Sequence, residues 1–136
     1  MLPTEKPSDL PDVLALAFLG DAIFSHAVRR MLVGRGISRA GELTRLSRAY
    51  VTAEAQSEGF LLIEPDLSDA ERALAKRAGN SGHLNRPRHA TPADYRRATS
   101  LEALFGMLEV TGQSARLTEL TDRILDGLSH REATLP

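Results

Sequence analysis

The chain alternates apolar stripes with short polar breaks, and the stripes repeat every three or four residues. Val13, Leu14, Ala17, Phe24, Val28 and Met31 predict one long amphipathic helix over 11–32, with Asp9 as its cap and Pro11 in its first turn. Gly34 and Gly36 end it. Leu43, Leu46, Tyr50, Val51 and Ala55 predict a second helix over 39–63, which Gly59 is placed to break and Pro65 closes. Ser68 and Glu71 have the spacing of a capping box and open a short third helix that stops near Gly79 and Asn80. From residue 79 to 90 no apolar period survives, which predicts a solvent-exposed loop. Thr91, Pro92 and Asp94 open a fourth helix that runs to about Val110. Leu117, Leu120, Ile124 and Leu128 mark a fifth, and residues 129–136 read as a frayed tail. No segment predicts a strand. The expectation is an all-α single domain over 1–136, with a core at about 10–128 and flexible tails at 1–9 and 129–136.

One position breaks the pattern of the first helix. Asp21 falls inside the apolar stripe, four residues after Ala17 and three before Phe24, with Gly20 directly before it. The fourth helix repeats the arrangement: Glu102 shares a face with Tyr95, Ala98, Leu101, Phe105 and Leu108, and Gly106 follows one turn later. A carboxylate on a core-facing surface costs free energy unless a cation pairs with it. Two such acids, each beside a glycine that lets another helix approach, point to a shared divalent-cation site. Carboxylates suit Mg²⁺, a hard cation that prefers oxygen ligands. The plainer alternative is that each acid pairs with an arginine or reaches solvent.

Composition narrows the classes. Hydrophobic residues make up 42% of the 136, enough for a globular core, while aromatics are 4% and favour no sheet. There is no cysteine, which excludes a disulfide scaffold, a thiolate metal site and a cysteine nucleophile, and fits a cytoplasmic protein. Residues 1–10 have no signal-peptide core, and no apolar run is long enough to span a membrane. None of the four histidines forms a zinc-motif pair, and phosphate-loop, nucleophile-elbow and dinucleotide motifs are missing.

The net charge of −1 hides a strong asymmetry: residues 29–48 and 76–97 each carry six cations against one acid. Two such stretches could form one anion-binding face or could simply punctuate loops. Lys76, Arg77, Asn80 and the glycines around them suit phosphate binding, but they equally suit an ordinary helix C-terminus.

The motif from Leu16 through Gly20-Asp21 to Phe24 resembles the signature helix of the ribonuclease III family, and Thr99-Ser100-Leu101-Glu102 through Gly106 resembles its second acidic motif. Lys76-Arg77 with Asn80, Tyr95-Arg96, and the stretch from Ser47 through Val51 to Gln56 are similar to the short branch, Mini-ribonuclease III, which lacks the double-stranded-RNA-binding domain. The resemblance spans about residues 10–128. It implies a helical homodimer that holds double-stranded RNA in a cleft across its axis. Asp21 and Glu102 would be the catalytic residues and the Mg²⁺ ligands, leaving a 5′-phosphate and a 3′-hydroxyl. Lys76, Arg77, Asn80, Arg86, Arg88 and Arg96 would contact RNA. The branch is associated with maturation of the large-subunit ribosomal RNA precursor in bacteria, and the sequence leaves open an accessory ribosomal protein that presents the substrate.

Full-length ribonuclease III has further acids where this chain has Leu14, Ala17 and Thr99, which leaves the number of metal ions open. Two rivals stand beside the enzyme. One is an inactive domain that only binds RNA or the ribosome. The other is a helical interaction protein unrelated to RNA.

Overall fold

The computed structural model describes residues 10–81 and 90–136, and the described part is helical throughout. In chain order it comprises α1 (Val13–Gly34), α2 (Ala40–Val51), α3 (Ala53–Ile63), a 3-10 turn (Glu64–Asp66), α4 (Asp69–Gly79), α5 (Pro92–Val110), α6 (Ser114–Leu128) and a second 3-10 segment (Ser129–Thr134). The all-α expectation holds. The expected flexible tail 1–9 and most of the loop after Asn80 lie outside the described residues.

Helix α5 is the axle of the bundle. From Ala98 to Val110 every residue except Glu102 and Glu109 is buried, because α1, α3, α4 and α6 all pack around it. Its apolar residues therefore occupy every side of the helix, as expected of one surrounded by others. Phe24 of α1 and Phe105 of α5 meet edge to face in the middle of the core, 5.8 Å between ring centres.

Two glycines set how closely α1 and α5 approach. A Cβ placed on Gly20 would stand 1.6 Å from the backbone oxygen of Glu102, and one on Gly106 would stand 2.0 Å from that of Leu16. The two backbones are in direct contact at both points. Gly20 meets Glu102 while the earlier Leu16 meets the later Gly106, so the helices run antiparallel.

Four expectations need correction. Helix α1 starts at Val13, not Pro11, because Asp12 rather than Asp9 is its cap, its carboxylate accepting from the Leu14 amide at 3.0 Å. The α1 stripe is also rotated: Leu16 is buried, whereas Leu14 is exposed. The expected long second helix is split at Thr52, not at Gly59. Thr52 is extended and its hydroxyl caps α3 by accepting from the Ala55 amide, while Gly59 stays helical and admits Ile124 of α6.

The last correction concerns the C-terminal tail. Residues 129–134 are not frayed but form a 3-10 segment held by charge. Arg35 donates two bonds to Glu132, at 2.8 and 3.2 Å, and the buried Tyr50 hydroxyl donates to the same carboxylate. Arg131 pairs with Glu58 at 2.8 Å and with Glu54 at 3.4 Å. The segment has few apolar anchors, so a pattern based on hydrophobicity could not find it.

The capping box at Ser68 and Glu71 forms as expected. Glu71 is buried, and Arg116 of α6 meets it with two hydrogen bonds of 3.0 and 2.9 Å, so the guanidinium holds its carboxyl below the ordinary range.

Gly20→Ala should destabilise the protein by about 3 kcal/mol or more, the upper end of overpacking, because backbone rather than a flexible side chain blocks the new methyl. Gly41→Ala, in open space on α2, should be neutral or stabilising by up to about 1 kcal/mol. Denaturant unfolding of the pair checks both. Equal stability would show that α1 can part from α5 without cost.

Candidate active site

The α1–α5 contact places the two acids. Asp21 follows Gly20, and Gly20 abuts the backbone of Glu102, so the two side chains leave the contact next to each other. The Asp21 carboxylate neighbours Glu102 closely enough to raise its carboxyl. The structure thus unites the sequence-predicted pair Asp21 and Glu102. It corrects the position of Asp21, which is exposed at the edge of the stripe rather than enclosed within it. Its reach toward Glu102 follows from the close helix approach, not from burial.

Glu102 is partly buried, and its carboxyl is pushed up to about 8. Burial is the first cause, because it penalises the charged form, and the neighbouring Asp21 carboxylate is the second. Gln56, whose amide lies nearby, acts in the opposite direction by favouring the charged form. This glutamine is 3% exposed on α3, and a buried amide requires partners. Periodicity does not single it out, because one polar residue within the expected 39–63 helix reads as part of a solvated face. Its signal was a glutamine in the stretch that follows the Tyr50-Val51 pair.

Neither acid makes an ion pair among the described residues, and Asp21 reaches solvent, as the plainer alternative for that residue has it. No group of three metal-ligating side chains occurs among them either. Two neighbouring carboxylates still fit Mg²⁺. That ion commonly takes one or two protein carboxylates and completes its shell with water and substrate phosphate.

The other predicted residues divide. Lys76 of α4, Asn80 at its C-terminal cap and Arg96 of α5 line one depression. Arg77 is exposed in the last turn of α4 and lies outside its lining. Arg86 and Arg88 lie outside the described residues, as do His83 and His89. His26 is exposed and His130 pairs with Glu58 at 2.6 Å, so neither belongs to the carboxylate pair. In the first basic stretch the cations are dispersed. Arg35 and Arg45 are taken up by Glu132 and Glu42, and Arg30 lines a separate groove between α1 and α6.

The raised carboxyl makes stability depend on pH. Folded Glu102 keeps its proton up to about pH 8, whereas an ordinary glutamate releases it near 4.5. The stability it provides at low pH is therefore lost as pH rises through that interval. Without divalent ions, Glu102→Gln should melt above the wild type beyond pH 8, and the gap should close below pH 4.5. Thermal melts across pH check this. A gap independent of pH would mean that the two carboxylates do not oppose each other.

Comparison with known proteins agrees with this geometry. The model of the Ribonuclease III domain matches residues 14–113, which include both acidic motifs. A Mini-ribonuclease 3 of Brevibacillus brevis is 36% identical over 118 residues, covering 87% of this chain and 88% of its own. One from Symbiobacterium thermophilum is 38% identical over 121 residues, covering 89% and 92%. The crystal structure of a Fusobacterium nucleatum protein superposes with a TM-score of 0.79 at 30% identity, covering 85% of this chain and 93% of that one. The chain belongs to the ribonuclease III family, in its Mini-ribonuclease III branch, and is an endoribonuclease of that type.

Proposed function

We propose that the protein is a Mg²⁺-dependent endonuclease for double-stranded RNA, working as a homodimer in the maturation of the large-subunit ribosomal RNA precursor. The observation that carries this reading is the convergence of Asp21 and Glu102 across the α1–α5 contact. The two carboxylates would hold Mg²⁺, and the ion when bound supplies positive charge and Lewis acidity for phosphodiester hydrolysis. Glu102 is aligned by the Gln56 amide and by a backbone that cannot shift against Gly20. Water adds to phosphorus, the bond to the 3′-oxygen breaks, and that oxygen takes a proton. The products carry a 5′-phosphate and a 3′-hydroxyl.

Support for a second copy comes from α1. Phe18 is 84% exposed and Leu14 is 44% exposed one turn earlier, forming an apolar ridge three residues from Asp21. An aromatic ring so open to water favours a partner surface. A dimer through this ridge would set two carboxylate pairs side by side, one for each strand. A-form RNA is read mostly through its backbone and shape, which suits a site with dispersed arginines and few aromatics. No helix among the described residues is long and apolar enough to cross a membrane, in keeping with a cytoplasmic substrate. Whether a ribosomal protein presents the precursor is a question for cleavage of naked precursor RNA.

Two outcomes are expected. Asp21→Asn should lower cleavage of a long RNA duplex in Mg²⁺ by at least about a thousandfold, roughly 4 kcal/mol of transition-state stabilisation, with an unchanged circular dichroism spectrum. Full cleavage by this variant would remove the carboxylate pair from the chemistry. Phe18→Asp should sediment as a monomer and lose double-strand cutting. A dimer that survives this change would place the interface elsewhere.

A further inference from the structure

A concave notch of about 320 Å³ lies where α3, α4 and α5 meet, separate from the carboxylate pair. Its walls carry Arg72 and Lys76 from α4 and Arg96 and Arg97 from α5, against one acid, Glu64. Its floor is rigid. A Cβ on Gly79 would stand 2.7 Å from the Ser100 hydroxyl and 3.2 Å from the Arg96 backbone oxygen, so the end of α4 lies directly against α5. The Ser100 hydroxyl donates to the Ala75 backbone oxygen at 2.6 Å and fastens the two helices. This contact brings the cations of two helices together.

The cations are poorly compensated. Among the described residues Arg72, Lys76 and Arg96 make no ion pair, and Arg97 reaches Asp94 only at 3.9 Å. By contrast, Arg35, Arg116, Arg123 and Arg131 each hold an acid at 2.9 Å or less. Like charges gathered in a concavity repel one another, and an anion seated among them relieves that repulsion. Arg97 links the notch to the active site. Its guanidinium lies 3.4 Å from the Ser57 hydroxyl, and Ser57 adjoins Gln56, whose amide influences Glu102.

We propose that this notch seats a backbone phosphate of the RNA, with Arg72 and Arg97 joining Lys76 and Arg96 as its ligands. The inference rests on the RNA-cleaving reading above and adds a defined phosphate seat beside the reaction centre. Seating a phosphate here while another lies at Asp21 and Glu102 would fix the strand at two points, through contacts that read the backbone and not the bases.

The test is the salt dependence of duplex binding, followed by fluorescence anisotropy in EDTA so that the RNA stays intact. Arg72→Ala and Arg96→Ala should each weaken binding roughly five- to tenfold at about 0.1 M salt and lower the slope of log affinity against log salt by about one. Glu64→Gln should act in the opposite direction and tighten binding by roughly two- to threefold, which no misfolded variant would do. Inorganic phosphate should compete with the duplex more weakly against Arg96→Ala than against wild type. If wild type binds duplex while both arginine variants keep its slope, or if Glu64→Gln leaves affinity unchanged, the notch is overturned and the nuclease reading stands. If the wild type neither binds nor cuts duplex RNA, it is the nuclease reading that fails.

Discussion

The contact between the backbones of α1 and α5 is the constraint from which the rest of the structure follows. Two residues without side chains, Gly20 and Gly106, let the helices meet along one antiparallel seam. Large apolar residues such as Phe24 and Phe105 close the seam on the core side. On the other side the same approach sets Asp21 beside Glu102. Packing free energy, gained over the whole of α5, holds this unfavourable pair in place.

That balance explains the division of labour among charged groups. Acids that stabilise the fold have guanidinium partners: Glu71 with Arg116, Glu132 with Arg35, Glu58 with Arg131. Glu102 has a carboxylate and an amide instead, and its proton affinity is raised where those of Glu71, Glu132 and Glu58 are lowered. The contrast within one chain sets Glu102 apart from the acids that hold the fold together.

The sequence made much of this readable. Asp21 and Glu102 stood out because acids rarely interrupt an apolar period, and their glycine neighbours proved to be the points of contact. Caps with a local signature, such as Ser68 with Glu71 and Thr91 with Asp94, were legible because each depends on residues within one turn. What escaped depends on tertiary partners. Gly59 reads as a helix breaker but serves to admit Ile124, and Thr52 ends one helix by beginning another. Gln56 gains its role only beside Glu102, and the C-terminal segment is ordered by charges that come from α1 and α3.

The seam has a consequence for synthesis of the protein. Its two halves lie near opposite ends of the chain, with α2, α3 and α4 made between them. Contacts so distant in sequence form late, since the intervening chain must be closed first. While the chain is still on the ribosome, α1 has no α5 to meet and Asp21 has no Glu102 beside it. A nascent or truncated polypeptide ending before α5 therefore holds only half of the carboxylate pair. On the proposed reading the nuclease is latent by construction: it has no complete carboxylate pair until α5 has been made.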